Sequence, residues 1–222
     1  MATRTQRTER RTDALSKERI VEAAIEILDT GGENALTFRA LAARLTTGSG
    51  AIYWHVANKS ELLAAAADDV IGRVMAGVVG GAPPREAIRA LALGVFDAID
   101  AHPWVGTHLS REPWQSAMPQ LFEGIGGRLQ ELGVPERAQF DSASAIVNYV
   151  LGVAGQNAAN ARMLVHGPDR VAFLEMVAER WTRLDPAQYP FVHQVAAQLP
   201  EHDDREQFLA GIDLILAGIT AL

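Results

Sequence analysis

The chain contains no cysteine, which excludes a disulfide scaffold, thiolate metal sites and cysteine nucleophiles. That absence fits a reducing compartment, and a cytoplasmic location is expected. No apolar run reaches the roughly 18 residues that a membrane-spanning helix needs, so no membrane partner is expected. Residues 1–13 are basic and polar and lack the apolar stretch of a secretory signal. Period-two alternation bounded by hairpin turns is missing, which argues against sheets. H-E-x-x-H, G-x-S-x-G and phosphate-loop motifs are also missing. Gly124-Ile125-Gly126-Gly127 is a glycine cluster in a helical stretch with no strand before it, so it is not read as a dinucleotide site. Asp68-Asp69 and Asp203-Asp204 read as solvated faces and helix-start charges. No enzyme, cofactor or metal site is implied. His102 and His108 are six apart, which is not the i, i+4 spacing of a helical metal pair.

What remains is a chain of 222 residues, 48% hydrophobic and 21% charged, the balance of a globular protein. Its net charge of −7 is unevenly spread. Residues 1–59 hold nine Lys/Arg against seven Asp/Glu, whereas residues 60–222 hold eleven against twenty. A basic head on an acidic body directs any polyanion to the head; a solvated tail in front of an ordinary surface is the plainer alternative.

Helical periodicity runs through the whole chain, and an all-α fold is expected. Residues 1–15 carry four arginines and no period, and read as a flexible basic arm. After Ser16, a candidate N-cap, Ile20, Ala23, Ala24, Ile27 and Leu28 form one apolar stripe, ended by Gly31-Gly32. Thr37 caps a second, short helix with Phe38, Leu41, Ala42 and Leu45 inward. Thr46-Thr47-Gly48 makes a tight connection, and a shorter helix around Ile52 follows. Asn58-Lys59-Ser60-Glu61 has capping-box form and opens a longer helix to about Met75. Gly80 to Pro84 is the clearest break. Beyond it helices are expected near 85–101, 104–110, 115–132, 136–165, 170–184 and 204–221, with 189–199 either a short helix or a packed loop. The chain divides into the arm, a three-helix head at 16–60 and a helical body at 61–222.

Two short helices joined by a tight turn form a helix-turn-helix. Thr37 offers a hydroxyl and a helix N-terminus to a phosphate oxygen. Arg39 can reach a phosphate or a guanine edge. Thr47, Ser49, Gly50 and Ala51 form a tip small enough to face base edges. Tyr53, Trp54, His55 and Lys59 cluster just behind it as long polar or amphipathic donors. Neighbouring residues on a helix point about 100° apart, so Tyr53 and Trp54 cannot both serve one core.

The runs Leu36-Thr37-Phe38-Arg39-Ala40-Leu41-Ala42-Ala43-Arg44-Leu45 and Gly50-Ala51-Ile52-Tyr53-Trp54-His55-Val56-Ala57-Asn58-Lys59-Ser60-Glu61-Leu62-Leu63 resemble the DNA-binding head of TetR-type transcriptional regulators. The Tyr-Trp-His-Val-x-Asn-Lys run looks most like the branch that holds the tetracycline repressors, and residues 208–219 are similar to that branch's last helix. The resemblance implies an all-helical homodimer with a double-stranded DNA operator and a small-molecule effector. Thr37, Tyr53, His55 and Lys59 would hold phosphates, and Arg39, Ser49, Gly50 and Ala51 would face bases. Thr46-Thr47 departs from the Gly-Val that family members often carry in the turn. Met75 stands where tetracycline repressors use a histidine for their metal–drug pocket, so tetracycline is not the implied effector.

In the body, small residues (Ala143, Ala145, Gly152, Gly155, Ala158, Ala159) and the C-terminal stripe Phe208, Ile212, Ile215, Leu216 and Ile219 suit either a dimer interface or an internal core. Candidates for an effector pocket are Met75, His102, Trp104, His108, Trp114, Asn148 and Gln156, which fit a mostly apolar or aromatic ligand. The rival reading is an all-α small-molecule-binding protein or helical enzyme whose head only docks.

Overall fold

The computed structural model describes residues 15–78, 81–111, 117–164 and 169–221. Among these residues all regular structure is helical, as expected: α1 Lys17–Ala35, α2 Phe38–Arg44, α3 Ser49–Tyr53, α4 Lys59–Gly77, α5 Pro84–Ala101, α6 Pro103–Arg111, α7 Met118–Glu131, α8 Glu136–Leu164, α9 Arg170–Thr182, α10 Pro190–Ala196 and α11 Asp204–Ile219. None of them is long and apolar enough to cross a membrane.

The helix starts are set by the capping residues read from the sequence. Ser16, Thr37 and Asn58 accept backbone N–H bonds from Arg19, Ala40 and Glu61 at 3.3, 3.1 and 2.9 Å. The Glu61 carboxylate reaches back one residue further than a standard capping box, to the Ala57 N–H at 2.8 Å. Two details differ from expectation. The helix α1 does not stop at Gly31-Gly32; Gly32 takes φ 67° and ψ −174°, a conformation open in practice to glycine alone, and a further turn follows to Ala35. The ambiguous 189–199 stretch contains α10, begun by Pro190 at its first position.

Helices α1 to α3 form the head, with Ile20, Ala24, Leu28, Leu41 and Ile52 in its core. The buried face of α4 (Leu62, Leu63, Ala66, Ala67, Val70, Ile71) continues this core into the body, where α5 adds Ile88, Leu91, Val95, Phe96 and Ile99. Head and body therefore share one apolar cluster, with α4 common to both. In the body, α8 packs against α5, α6, α7 and α11. The Phe208 ring of α11 lies between Phe96 and Tyr149, at centroid distances of 4.7 and 5.6 Å. Outside this cluster, Asp213 of α11 pairs with Arg89 of α5 at 3.1 Å.

The structure takes one side of the alternative left open for the C-terminal stripe. Phe208, Ile212, Leu216 and Ile219 are buried within the protomer, so that face of α11 is core. Its outer face carries Ala210, Leu214, Ala217 and Gly218. Ala143 and Ala158 are likewise internal, whereas Ala145, Gly152 and Ala159 face outward.

Candidate nucleic-acid interface and effector seam

The turn between α2 and α3 closes with a threonine, and not a glycine, in its left-handed position. Thr46 adopts φ 52°, and the Thr46 and Thr47 N–H groups bond to the Ala43 and Ala42 carbonyls at 3.3 and 3.0 Å. A β-branched residue in the left-handed region carries strain, and the turn closes with it in place.

Helix α3 buries only Ile52. Ser49, Gly50, Ala51 and Thr47 are exposed or half-buried around it, and a Cβ added at Gly50 would point into open space. The tip is therefore kept small for reasons other than packing within the protomer. Tyr53 is exposed but fixed: its ring stacks on Phe38 of α2 with centroids 4.3 Å apart and planes 4° from parallel. Trp54 is 90% exposed. Both rings thus avoid the core. Thr37 and Arg39 are exposed two residues apart at the start of α2. Arg44 is committed to Glu26 of α1, whereas Arg39 has no ion-pair partner among the described residues. His55 is half-buried behind the tip. Lys59 is less available than its position implies, since its Nζ donates to the Glu33 carbonyl of α1 at 2.5 Å.

The candidates in the body are not brought to one place. Trp114 lies outside the described residues. Asn148 and Gln156 are exposed, two turns apart on the outer face of α8. His102 and Trp104 turn toward the head: both reach the same carboxylate oxygen of Asp29 in α1, at 2.7 and 2.8 Å. His108 is buried on α6, and its Nε2 has no hydrogen-bond partner. Met75, near the end of α4, borders an open cleft of about 250 Å³ with Val78, Leu91, Glu123 and Arg128. A Cβ at Gly124 would collide with the Met75 methyl and, at 2.8 Å, with Leu91 Cδ1, so glycine lets α4 and α5 close onto α7.

Leu91 also lines an enclosed apolar seam between α5, α7 and α8, with Val95, Leu121, Ile125, Val147 and Val150. The seam and its mouth hold about 200 Å³ of space, none of it wide enough for a water molecule. The sequence reading missed this seam, because its residues are ordinary aliphatics at helical spacing. It also missed Asp29, Glu33 and Arg111, whose partners lie more than seventy residues away along the chain.

A helix-turn-helix with a small exposed tip, carried on a larger helical body, is the arrangement of a DNA-binding transcriptional regulator. Two family patterns agree with that class and between them cover most of the chain. "Bacterial regulatory proteins, tetR family" matches residues 20–66, and "Tetracyclin repressor-like, C-terminal domain" matches residues 82–222. The chain belongs to the TetR family of DNA-binding transcriptional regulators. It is 52% identical to the transcriptional regulator SCO7222 of Streptomyces coelicolor, with a TM-score of 0.87 over 94% of this chain and 99% of that one. An HTH-type transcriptional regulator of Saccharopolyspora erythraea is 29% identical over 93% of this chain and 85% of its own length. BioQ of Mycobacterium smegmatis, solved with its double-stranded DNA operator, is 26% identical, with a TM-score of 0.65 over 94% of this chain and 100% of that one.

Proposed function

We propose that this regulator is a dimeric repressor that leaves a near-palindromic operator when a small, mostly apolar molecule enters the body. The observation that carries the effector reading is the narrow apolar seam between α5, α7 and α8; on α6, apart from the residues that line the seam, His108 Nε2 is buried with no hydrogen-bond partner among the described residues. A buried polar atom without a partner costs stability, and a ligand that supplies one recovers it. A seam too narrow for water must widen to admit a ligand. The ligand therefore binds the widened state alone, which is the differential affinity that a switch requires. Leu91 joins the seam to Met75, and Met75 rides on the helix that enters the head.

Two heads are needed because phosphate contacts alone give affinities of order ~10⁻⁴–10⁻⁶ M. Heads held roughly 34–36 Å apart reach successive major grooves of one face of the duplex. The outer faces of α8 (Ala145, Asn148, Gly152, Gln156) and α11 (Ala210, Leu214, Ala217, Gly218) lie on helices already packed side by side, and supply the surface for a second copy. Thr37, Tyr53 and His55 hold phosphates; Arg39, Ser49, Gly50 and Ala51 face bases; Thr47 and Trp54 flank the tip.

The test begins with duplexes selected from a random pool and from the DNA upstream of the protein's own reading frame. With about 6–10 phosphates contacted, log affinity falls with log salt at a slope near −0.9 per phosphate. A compound screen for release follows. A flat slope rejects the DNA reading, and a compound that fills the seam without changing operator affinity rejects the switch.

A further inference from the structure

We propose that Asp29 is the positioning residue through which α6 of the body fixes the angle of the DNA-binding head, a second attachment beside α4. The inference rests on the two-headed reading above. A head joined to its body by one helix can swing about that helix; a second contact away from the axis removes the freedom. Asp29 supplies such a contact. Its Oδ1 accepts the Trp104 indole N–H at 2.8 Å and lies 2.7 Å from His102 Nδ1. One turn further on, the Glu33 carboxylate pairs with Arg111 Nη1 at 2.7 Å. Between the two acids, Gly32 turns the chain so that the Glu33 carbonyl also takes Lys59 Nζ at the start of α4. The last turns of α1 are thus held from α4 and from α6 at once.

The contact is selective for one orientation of the head. Trp104 is 7% exposed, so its N–H loses its partner without gaining much water if Asp29 moves away. Beside the contact lies a cleft of about 480 Å³ bounded by Leu28, Gly32, Pro103, Trp104 and Thr107. Asp29, Glu33 and Arg111 line the same cleft, so these polar contacts bridge head and body across it, beside the apolar cluster that the two share. His102 ends α5 with φ −127° and ψ 70°, where the chain turns into α6. The corner that presents both donors to Asp29 is therefore part of the backbone path between α5, which lines the seam, and α6.

The experiment compares Asp29→Ala and Trp104→Phe with the unaltered protein on two duplexes, one carrying both operator half-sites and one carrying a single half-site. Trp104→Phe keeps an aromatic ring and removes the indole N–H together with part of the ring volume. Both variants should bind the two-site duplex roughly 5–150-fold more weakly, bind the single site within about twofold of the unaltered protein, and accept altered half-site spacing more readily. The double variant should lose no more than Asp29→Ala alone, because Asp29→Ala already removes the bond that Trp104→Phe removes. Parallel loss on both duplexes would show damage to the head itself and overturn the proposal, as would unchanged binding to the two-site duplex. If the unaltered protein shows no steep salt dependence on the two-site duplex, the functional reading fails first and this inference with it.

Discussion

Head and body put their apolar residues to opposite uses. In the head, α3 buries Ile52 alone and presents Trp54 at 90% exposure, with Tyr53 held outward by Phe38. In the body, α5 buries Ile88, Leu91, Val95, Phe96 and Ile99, and the neighbouring α7 and α8 close over it until no water fits between them. One region keeps large side chains in solvent; the other buries its apolar side chains against one another. Under the proposed function, the recognition surface is preformed, whereas the effector site has to be opened. Affinity for DNA then depends on where the heads are held, and affinity for a ligand depends on the work of separating helices.

The sharpest way to break this contrast is at the body's core. Phe208→Ala should cost about 3–5 kcal/mol, a large part of a typical 5–15 kcal/mol total, and calorimetry should show head and body melting together because they share one cluster. A separate, unshifted head transition would show two independent units. Next comes Ile52→Ala, expected to cost about 2 kcal/mol and to abolish operator binding while leaving the body's helical content intact by circular dichroism.

A third comparison lies within the head. Arg39→Ala should leave stability within about 0.5 kcal/mol, weaken operator binding by about 1–3 kcal/mol and relax base preference. Lys59→Ala should lower the melting temperature, since it removes the bond to the Glu33 carbonyl, and should reduce the salt slope by less than one unit. A full unit of slope would mean that Nζ leaves α1 for a phosphate. Thr46→Gly, fourth, should stabilise the protein by about 0.5–1 kcal/mol, because it relieves a left-handed threonine at the entropic cost of a glycine; denaturant melts would measure it.

The smallest effect concerns acid. Asp203 caps α11, and the Glu206 N–H bond holds its carboxyl below the ordinary aspartate value. A depressed folded value gives a contribution that is complete above the unfolded value and lost as pH falls through the folded one. Asp203→Asn keeps a capping oxygen, so stability at neutral pH should barely change, and its decline below the ordinary aspartate range should become shallower. An unchanged acid limb would remove Asp203 as a contributor.

Much of the head was legible because its signals are local. Ser16, Thr37 and Asn58 cap helices within three residues of themselves, and the Tyr53-Trp54 pair had to split its two directions on a five-residue helix. The body was legible only as rhythm. Its helices fall close to their expected bounds, yet nothing in the spacing of Leu91, Leu121 and Val150 shows that they meet. The partnership of His102 and Trp104 with Asp29 spans more than seventy residues and has no periodic trace.

Amino-acid order alone determined the all-helical class, the helix starts and the bare surface of the recognition tip, since capping, period and side-chain size act within a turn or two of the chain. Tertiary structure decided which apolar stripe became core, which cations were left for DNA and how α6 grips the head. Those outcomes depend on burial and on hydrogen bonds between distant residues, and both are properties of the assembled helices.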